Sequence, residues 1–223
     1  MPNDSGDCSL APHDQPREHR LWDLALIQRP LWARFFGAGG IGLCAIAAAA
    51  TVDAHLIVAV DVIEDKLAFA RRFGATHTIN AQEVDAVKAI RELTDGGVEY
   101  GIDAIGLPQT QEQILRSVRA GYAGFYRGGI ALLIGITPPG AQAILDTNLF
   151  VGNRSFTRTS GGDCRPERDF PVFIRWYREG KLKLNDLVTH RYSLDQINTA
   201  VDDLEHGRIL RSRDSYLCLI AAN

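Results

Sequence analysis

Cysteine is scarce and scattered in this chain: Cys8, Cys44, Cys164 and Cys218 stand far apart, and no C-x-x-C pair occurs among its 223 residues. That spacing gives no support to a zinc knuckle or a disulfide framework, and a reducing cytoplasm is the expected compartment. Blocks of basic residues are missing too. With 24 Lys and Arg against 27 Asp and Glu, the formal net charge is -3, so nucleic acid is not an expected partner. No apolar run reaches the length of a bilayer span; the longest, about Ile41 to Val52, is mostly alanine, and no membrane association is expected. The first residues are acidic and polar, so no secretory signal is visible. His55, His77, His190 and His206 are isolated, with no i, i+4 ligand pair. What the chain does have is a composition 46% hydrophobic and 23% charged, which is enough to bury a substantial core in one globular domain.

Residues 1–30 are rich in Asp, Pro, His and Arg without a sustained period, and they read as an irregular leader. From Leu31 the pattern becomes regular. A strand to Phe36, a helix from Gly40 to about Val52 and a continuous apolar strand from His55 to Val60, ending at Asp61, form the first unit. An apolar run of that kind, unbroken by polar alternation, marks a parallel strand covered on both faces. A helix over about Ile63–Phe73 stops at Gly74, and an extended piece follows from Thr76 to Ile79. Then come a helix over about Gln82–Leu93, a strand over Tyr100–Ile105, a helix over about Gln111–Val118 and a strand over Ile130–Ile136, which Pro138-Pro139-Gly140 ends. A strand is expected over Arg154–Thr159 and an amphipathic helix over about Pro166–Glu179. The last clear helix opens at Ser193-Leu-Asp-Gln196, a capping box. The repeated alternation predicts an α/β fold: a Rossmann-type doubly wound parallel sheet in three layers, one domain over 31–223 behind the leader.

Gly37-Ala38-Gly39-Gly40-Ile41-Gly42 lies between the first strand and the first helix, and Asp61 ends the next strand. This is the footprint of a dinucleotide-binding βαβ unit. Gly37 allows the tight turn, Gly39 lets backbone approach a pyrophosphate, and Gly42 lets the helix pack closely on the sheet. The helix N-terminus then receives the phosphates. Asp61 would accept hydrogen bonds from ribose hydroxyls and repel a 2′-phosphate, which favours NAD over NADP. The simpler reading of Asp61 is a cap for the helix after it, and that of Lys66 is a surface lysine.

Several blocks in order resemble one family. Gly37–Gly42, Ala59-Val-Asp-Val-Ile-Glu-Asp-Lys66, Phe73-Gly-Ala-Thr-His77, Ile102-Asp-Ala-Ile-Gly106 and Leu133-Ile-Gly-Ile136 look like the coenzyme domain of zinc-dependent medium-chain alcohol dehydrogenases. Gly161-Gly-Asp-Cys-Arg-Pro-Glu-Arg-Asp-Phe-Pro171 and Leu204-Glu-His-Gly-Arg-Ile-Leu-Arg211 continue the match. The later segments most resemble the branch of S-(hydroxymethyl)mycothiol dehydrogenase and NAD-bound, dye-coupled alcohol dehydrogenases. The resemblance implies hydride transfer from a primary alcohol or a thiol–formaldehyde adduct to NAD. It implies that Gly37, Gly39, Gly40, Ile41 and Gly42 surround the pyrophosphate and that Asp61 and Lys66 flank the adenosine ribose. It places Gly106 by the adenine, Gly135, Ile136 and the backbone near Ser160 and Gly161 by the nicotinamide, and Arg211 on the pyrophosphate. It also implies a homodimer built through residues 130–136 and 154–159.

The same resemblance exposes a departure. These enzymes carry a catalytic zinc on a separate N-terminal domain, and no ligand set of that kind can be matched here. An alcohol is a poor hydride donor until it loses its proton, and zinc lowers the pKa of a bound hydroxyl by several units. The expectation is therefore a chain that binds NAD and does not oxidise alcohol alone, either completed by a separate catalytic domain or acting as a non-enzymatic module or inactive remnant. Tyr177-x-x-x-Lys181 offers an alternative, because it has the spacing of the short-chain dehydrogenase acid/base pair.

Overall fold

The computed structural model describes residues 32–122 and 127–205, with backbone only for Leu204 and Glu205. The leader over 1–30, and with it His13, His19 and Cys8, lies outside the described residues, as do Arg211, Cys218 and His206.

Six strands form one sheet: β1 (Trp32–Phe36), β2 (Leu56–Asp61), β3 (His77–Asn80), β4 (Tyr100–Asp103), β5 (Ile130–Leu133) and β6 (Ser155–Arg158). Their order is β3-β2-β1-β4-β5-β6, and every neighbouring pair is parallel. The chain builds outward from β1 to β3, then returns past β1 to start β4. The crevice between the carboxyl ends of β1 and β4 is thus the topological switch point of the sheet, where ligands of open α/β folds bind.

Helices cover both faces, giving the three layers. Buried residues of α1 (Gly40–Thr51) and α2 (Glu64–Arg72) form one core with Phe35, Ile57 and Ala59. Ile90 of α3 (Ala86–Leu93) and Ile114 and Leu115 of α4 (Pro108–Ser117) form the other with Phe36, Val58 and Val60. β2 is buried at all six positions, as its uninterrupted apolar run predicts. α5 (Pro166–Arg178) lays Phe173 and Trp176 against the first core. α6 (Ile197–Glu205) follows a 3₁₀ turn opened by the reciprocal Ser193 and Gln196 capping box.

Several ends differ from expectation, each for a local reason. α3 starts at Ala86 rather than near Gln82 because the Asp85 carboxylate accepts from the Val87 and Lys88 N–H groups and fixes the start there. α4 starts earlier, with Pro108 in its first turn. β4 stops at Asp103, whose carboxylate takes the Ile105 and Gly106 N–H groups out of the ladder.

One core position is anomalous. Arg34, at the centre of β1, is wholly buried with its guanidinium 3.7 Å from the Phe36 ring centroid. Desolvation pushes its pKa well below the ordinary guanidinium value, as burial of a cation must.

Candidate functional site

The glycine turn sits at the carboxyl end of β1. Gly37 has φ +91°, and its N–H donates to Val60 O at 2.8 Å, which ties the turn to β2. The next amide, Ala38 N–H, donates to Asp61 Oδ2 at 2.8 Å. The first bond of α1 runs from Leu43 N–H to Gly39 O, at 2.8 Å. Gly40, Ile41 and Gly42 therefore present N–H groups with no helical acceptor, and Gly39 caps the helix without a side chain.

The two glycines at the ends of the motif's second half are needed for opposite reasons. A Cβ on Gly42 would stand 1.7 Å from Gly37 O, so the turn and the helix exclude any side chain there. A Cβ on Gly39 would meet nothing within 4 Å. Nothing among the described residues requires Gly39 to lack a side chain, and the open space lies beside the unpaired amides of the helix N-terminus. That is a cradle for an anion, and it fits the pyrophosphate of a dinucleotide.

Asp61 is buried. Its Oδ1 accepts from the Val62 and Ile63 N–H groups at 2.8 and 3.1 Å, while Oδ2 holds Ala38. Asp61 is thus a cap for the segment after β2 and a brace for the glycine turn at once. Its charge stays beside the turn. Lys66 lies half-buried in α2, two residues after that helix begins.

Gly106 and Gly135 are brought together directly. A Cβ on Gly106, whose φ is +92°, would lie 2.4 Å from Ile136 O, and one on Gly135 would lie 2.3 Å from Gly106 N. Residues 134–136 therefore leave the strand expected to run to Ile136 and pack backbone to backbone on the loop after β4. Asp103 holds that loop. It is wholly buried, and its Oδ1 accepts from Ile105 N–H and Thr110 Oγ–H at 3.0 Å while Oδ2 accepts from Gly106 N–H at 3.1 Å. Asp103 was not singled out from sequence as a site residue, although its place at the end of an apolar strand before Gly106 is a readable signal. Ile41, Val62, Ile63, Ile105, Leu107 and Ile136 are exposed, and they lie in the segments that follow the carboxyl ends of β1, β2, β4 and β5. An apolar rim around a few convergent polar groups is the usual make-up of a ligand site.

Gly37, Gly39, Gly40, Ile41, Gly42, Asp61, Gly106, Gly135 and Ile136 therefore share one edge of the sheet. Arg211 lies outside the described residues. Gly161 follows β6 in a 3₁₀ turn, at the same carboxyl edge.

The Tyr177 and Lys181 pair is corrected by the structure. α5 ends at Arg178 and Gly180 turns the chain at φ +73°, so the two side chains do not share a helical face. Lys181 Nζ pairs with Glu179 at 2.8 Å, and Tyr177 Oη accepts from Asn185 Nδ2 at 3.0 Å. Lys181 and Lys183 line a cavity of about 340 Å³ with Thr51, Arg72 and Gly74, at the far end of α1 from the glycine turn. Their charges sit by the carbonyl ends of α1 and α2, whose dipoles they offset. Partial desolvation, followed by the Asp169 carboxylate, pushes the Cys164 thiol up from its ordinary value.

Only part of the expected dimer surface is an edge. β5 is hydrogen-bonded on both sides, by β4 and β6, so residues 130–133 offer no free edge. Among the described residues β6 is one of the two outer strands of the sheet, with β3 at the opposite edge.

Residues 40–179 match the family described as zinc-binding dehydrogenase. The chain belongs to that family. This member of the zinc-binding dehydrogenases is 32% identical over 184 residues to S-(hydroxymethyl)glutathione dehydrogenase of Paracoccus denitrificans, covering 79% of this chain and 48% of the relative. It is 32% identical over 183 residues to an alcohol dehydrogenase class-3 of Caenorhabditis elegans, covering 79% and 46%. Among solved structures, it resembles benzyl alcohol dehydrogenase of Acinetobacter calcoaceticus at 32% identity and a TM-score of 0.74, covering 81% of this chain and 48% of that one. The chain spans about half the length of the curated relatives it matches. Among the described residues no three His, Cys, Asp or Glu side chains converge, so the described part of this zinc-binding dehydrogenase contains no ligand set that fits the metal of the family name. No described helix is long and apolar enough to cross a membrane.

Proposed function

We propose that this chain is the NAD(H)-binding domain of a zinc-type alcohol dehydrogenase. The observation that carries the reading is Gly39: an open position beside three helix amides without a helical acceptor, where no described residue stands near the missing Cβ and a bound pyrophosphate would use the space. Gly37, Gly39, Gly40, Ile41 and Gly42 would hold the pyrophosphate. The charge of Asp61 beside that turn opposes a 2′-phosphate and supports NAD over NADP. Gly106, Gly135 and Ile136 would border the rest of the dinucleotide, with Ile105, Leu107 and Ile136 excluding water from it. Lys66 and Arg211 complete the proposed contacts. NAD, when bound, supplies the hydride acceptor.

The names of the relatives support an alcohol or a thiol–formaldehyde adduct as the donor class of the whole enzyme. The donor's pocket and its zinc would come from a separate catalytic domain. A second reading is an NAD-binding module without turnover of its own. The test is fluorescence titration of the purified chain with NADH, with zinc content and alcohol oxidation measured on the same sample. Saturable binding supports the coenzyme reading; NADH production by metal-free chain would refute the module.

A further inference from the structure

Arg34 is the middle residue of β1, an interior strand of the sheet, flanked in register by Val58 of β2 and Gly101 of β4. Neither neighbour offers a side-chain acceptor. The alternation along β1 puts Trp32, Arg34 and Phe36 on one face, and Trp32 and Phe36 pack in the core shared with α3 and α4. In that core Arg34 Nε, Nη1 and Nη2, together with Trp32 Nε1, are buried with no hydrogen-bond partner among the described residues. Among the described residues the compensation on that face is the ring of Phe36, and a cation–π contact recovers a small part of the hydration a guanidinium gives up. Arginine does not escape the cost by losing its proton at neutral pH. Burying an unpaired ion costs an amount comparable with the whole folding free energy of a domain.

Displacing β1 from its slot would return Arg34 to water, which offsets part of the cost of breaking its two ladders and exposing Ala33, Phe35 and Phe36. The glycine turn depends on the slot being filled, because Gly37 and Ala38 reach Val60 and Asp61 only when Phe36, directly before them, lies between β2 and β4. We propose that β1 exchanges between an inserted and a displaced position, and that a dinucleotide seated on the glycine turn locks it in. The locking half rests on the coenzyme reading above; the exchange itself does not.

Hydrogen–deuterium exchange on the full chain separates the two. Without ligand, amides of residues 33–36, and the β2 and β4 amides that donate to β1, should exchange faster than those of 131–133 in β5, which pairs with β4 and β6 alone. Arg34→Val should slow them with no ligand added, and Arg34→Met, which keeps the length of the side chain, should act the same way, with far-UV circular dichroism reporting the fold. NADH at a hundred times its Kd should slow β1 exchange in the unaltered chain about a hundredfold. Equal protection of β1 and β5 in the unaltered chain overturns the proposal, as does equally fast exchange of both that Arg34→Val cures, which would assign the opening to the whole domain. If NADH binds by fluorescence and β1 exchange does not change, the lock is wrong while the coenzyme reading stands. If NADH does not bind, both the lock and the coenzyme reading fail.

Discussion

At the scale of single residues, the glycine motif separates into positions the fold needs and a position only a ligand needs. Gly42→Ala drives a methyl group into Gly37 O and should destabilise the domain by about 3 kcal/mol, at the upper end for overpacking. Gly39→Ala meets open space and should cost less than about 1 kcal/mol, while its methyl group fills the anion cradle and weakens NADH binding at least about tenfold, 1.4 kcal/mol. Urea unfolding and NADH titration of both variants check the contrast. The motif and Asp61 were legible in the sequence because turn chemistry and helix starts are local properties. Asp103 and Arg34 were not legible, since what distinguishes them is burial. A charged letter in an apolar strand does not tell whether a partner waits across the sheet: Asp103 finds Gly106 N–H and Thr110 Oγ, and Arg34 finds nothing among the described residues.

At the scale of elements, the order and type of strands and helices followed from periodicity, and the ends were set by side chains that periodicity does not weigh. Asp85 shortens α3, Asp103 shortens β4, and the approach of Gly135 to Gly106 shortens β5. Asp169 plays the same part at the start of α5. It accepts from Arg165 N–H at 2.7 Å and from the Arg168 guanidinium, and the Arg168 hydrogen bond is the main cause that holds its carboxyl at about 2, below the ordinary 3.8. A carboxyl depressed by folding adds stability above its unfolded pKa and loses it as the pH falls through the folded one. Its contribution should therefore be complete above about pH 4 and disappear toward pH 2. Chemical denaturation across that range should show a shallower acid loss in Asp169→Asn than in the unaltered chain; identical slopes would contradict the assignment. The early end of α5 is also what separates Tyr177 from Lys181, a break for which Gly180 was the visible signal.

At the scale of the whole molecule, the strand order creates both the crevice at the switch point and an outer strand, β6. Unpaired edges invite pairing, and the dimer that the family resemblance implies would use the side of β6 left unpaired among the described residues. Ser155 and Thr159 N–H groups donate toward β5, so the alternation turns Phe156 and Arg158 N–H groups outward. Arg158→Pro removes an outward donor without touching the β5 ladder, and sedimentation should show a dimer for the unaltered chain and a monomer for the variant. A monomer in both cases would refute the dimer. The layered fold was legible because alternating strand and helix signals with apolar strands admit few topologies; which strand edge stays free was not, because pairing of β5 on both sides is decided by the return of the chain through β6.

The central claim is that the crevice opened by Gly39 and braced by Asp61 binds NAD(H). It is tested most directly by titrating the folded, purified chain with NADH and following nicotinamide fluorescence, with Gly39→Ala as the control. Saturable binding by the unaltered chain that weakens at least about tenfold in the variant is the predicted result. A folded chain that shows no saturable NADH binding, or a variant that binds as tightly as the original, would contradict it.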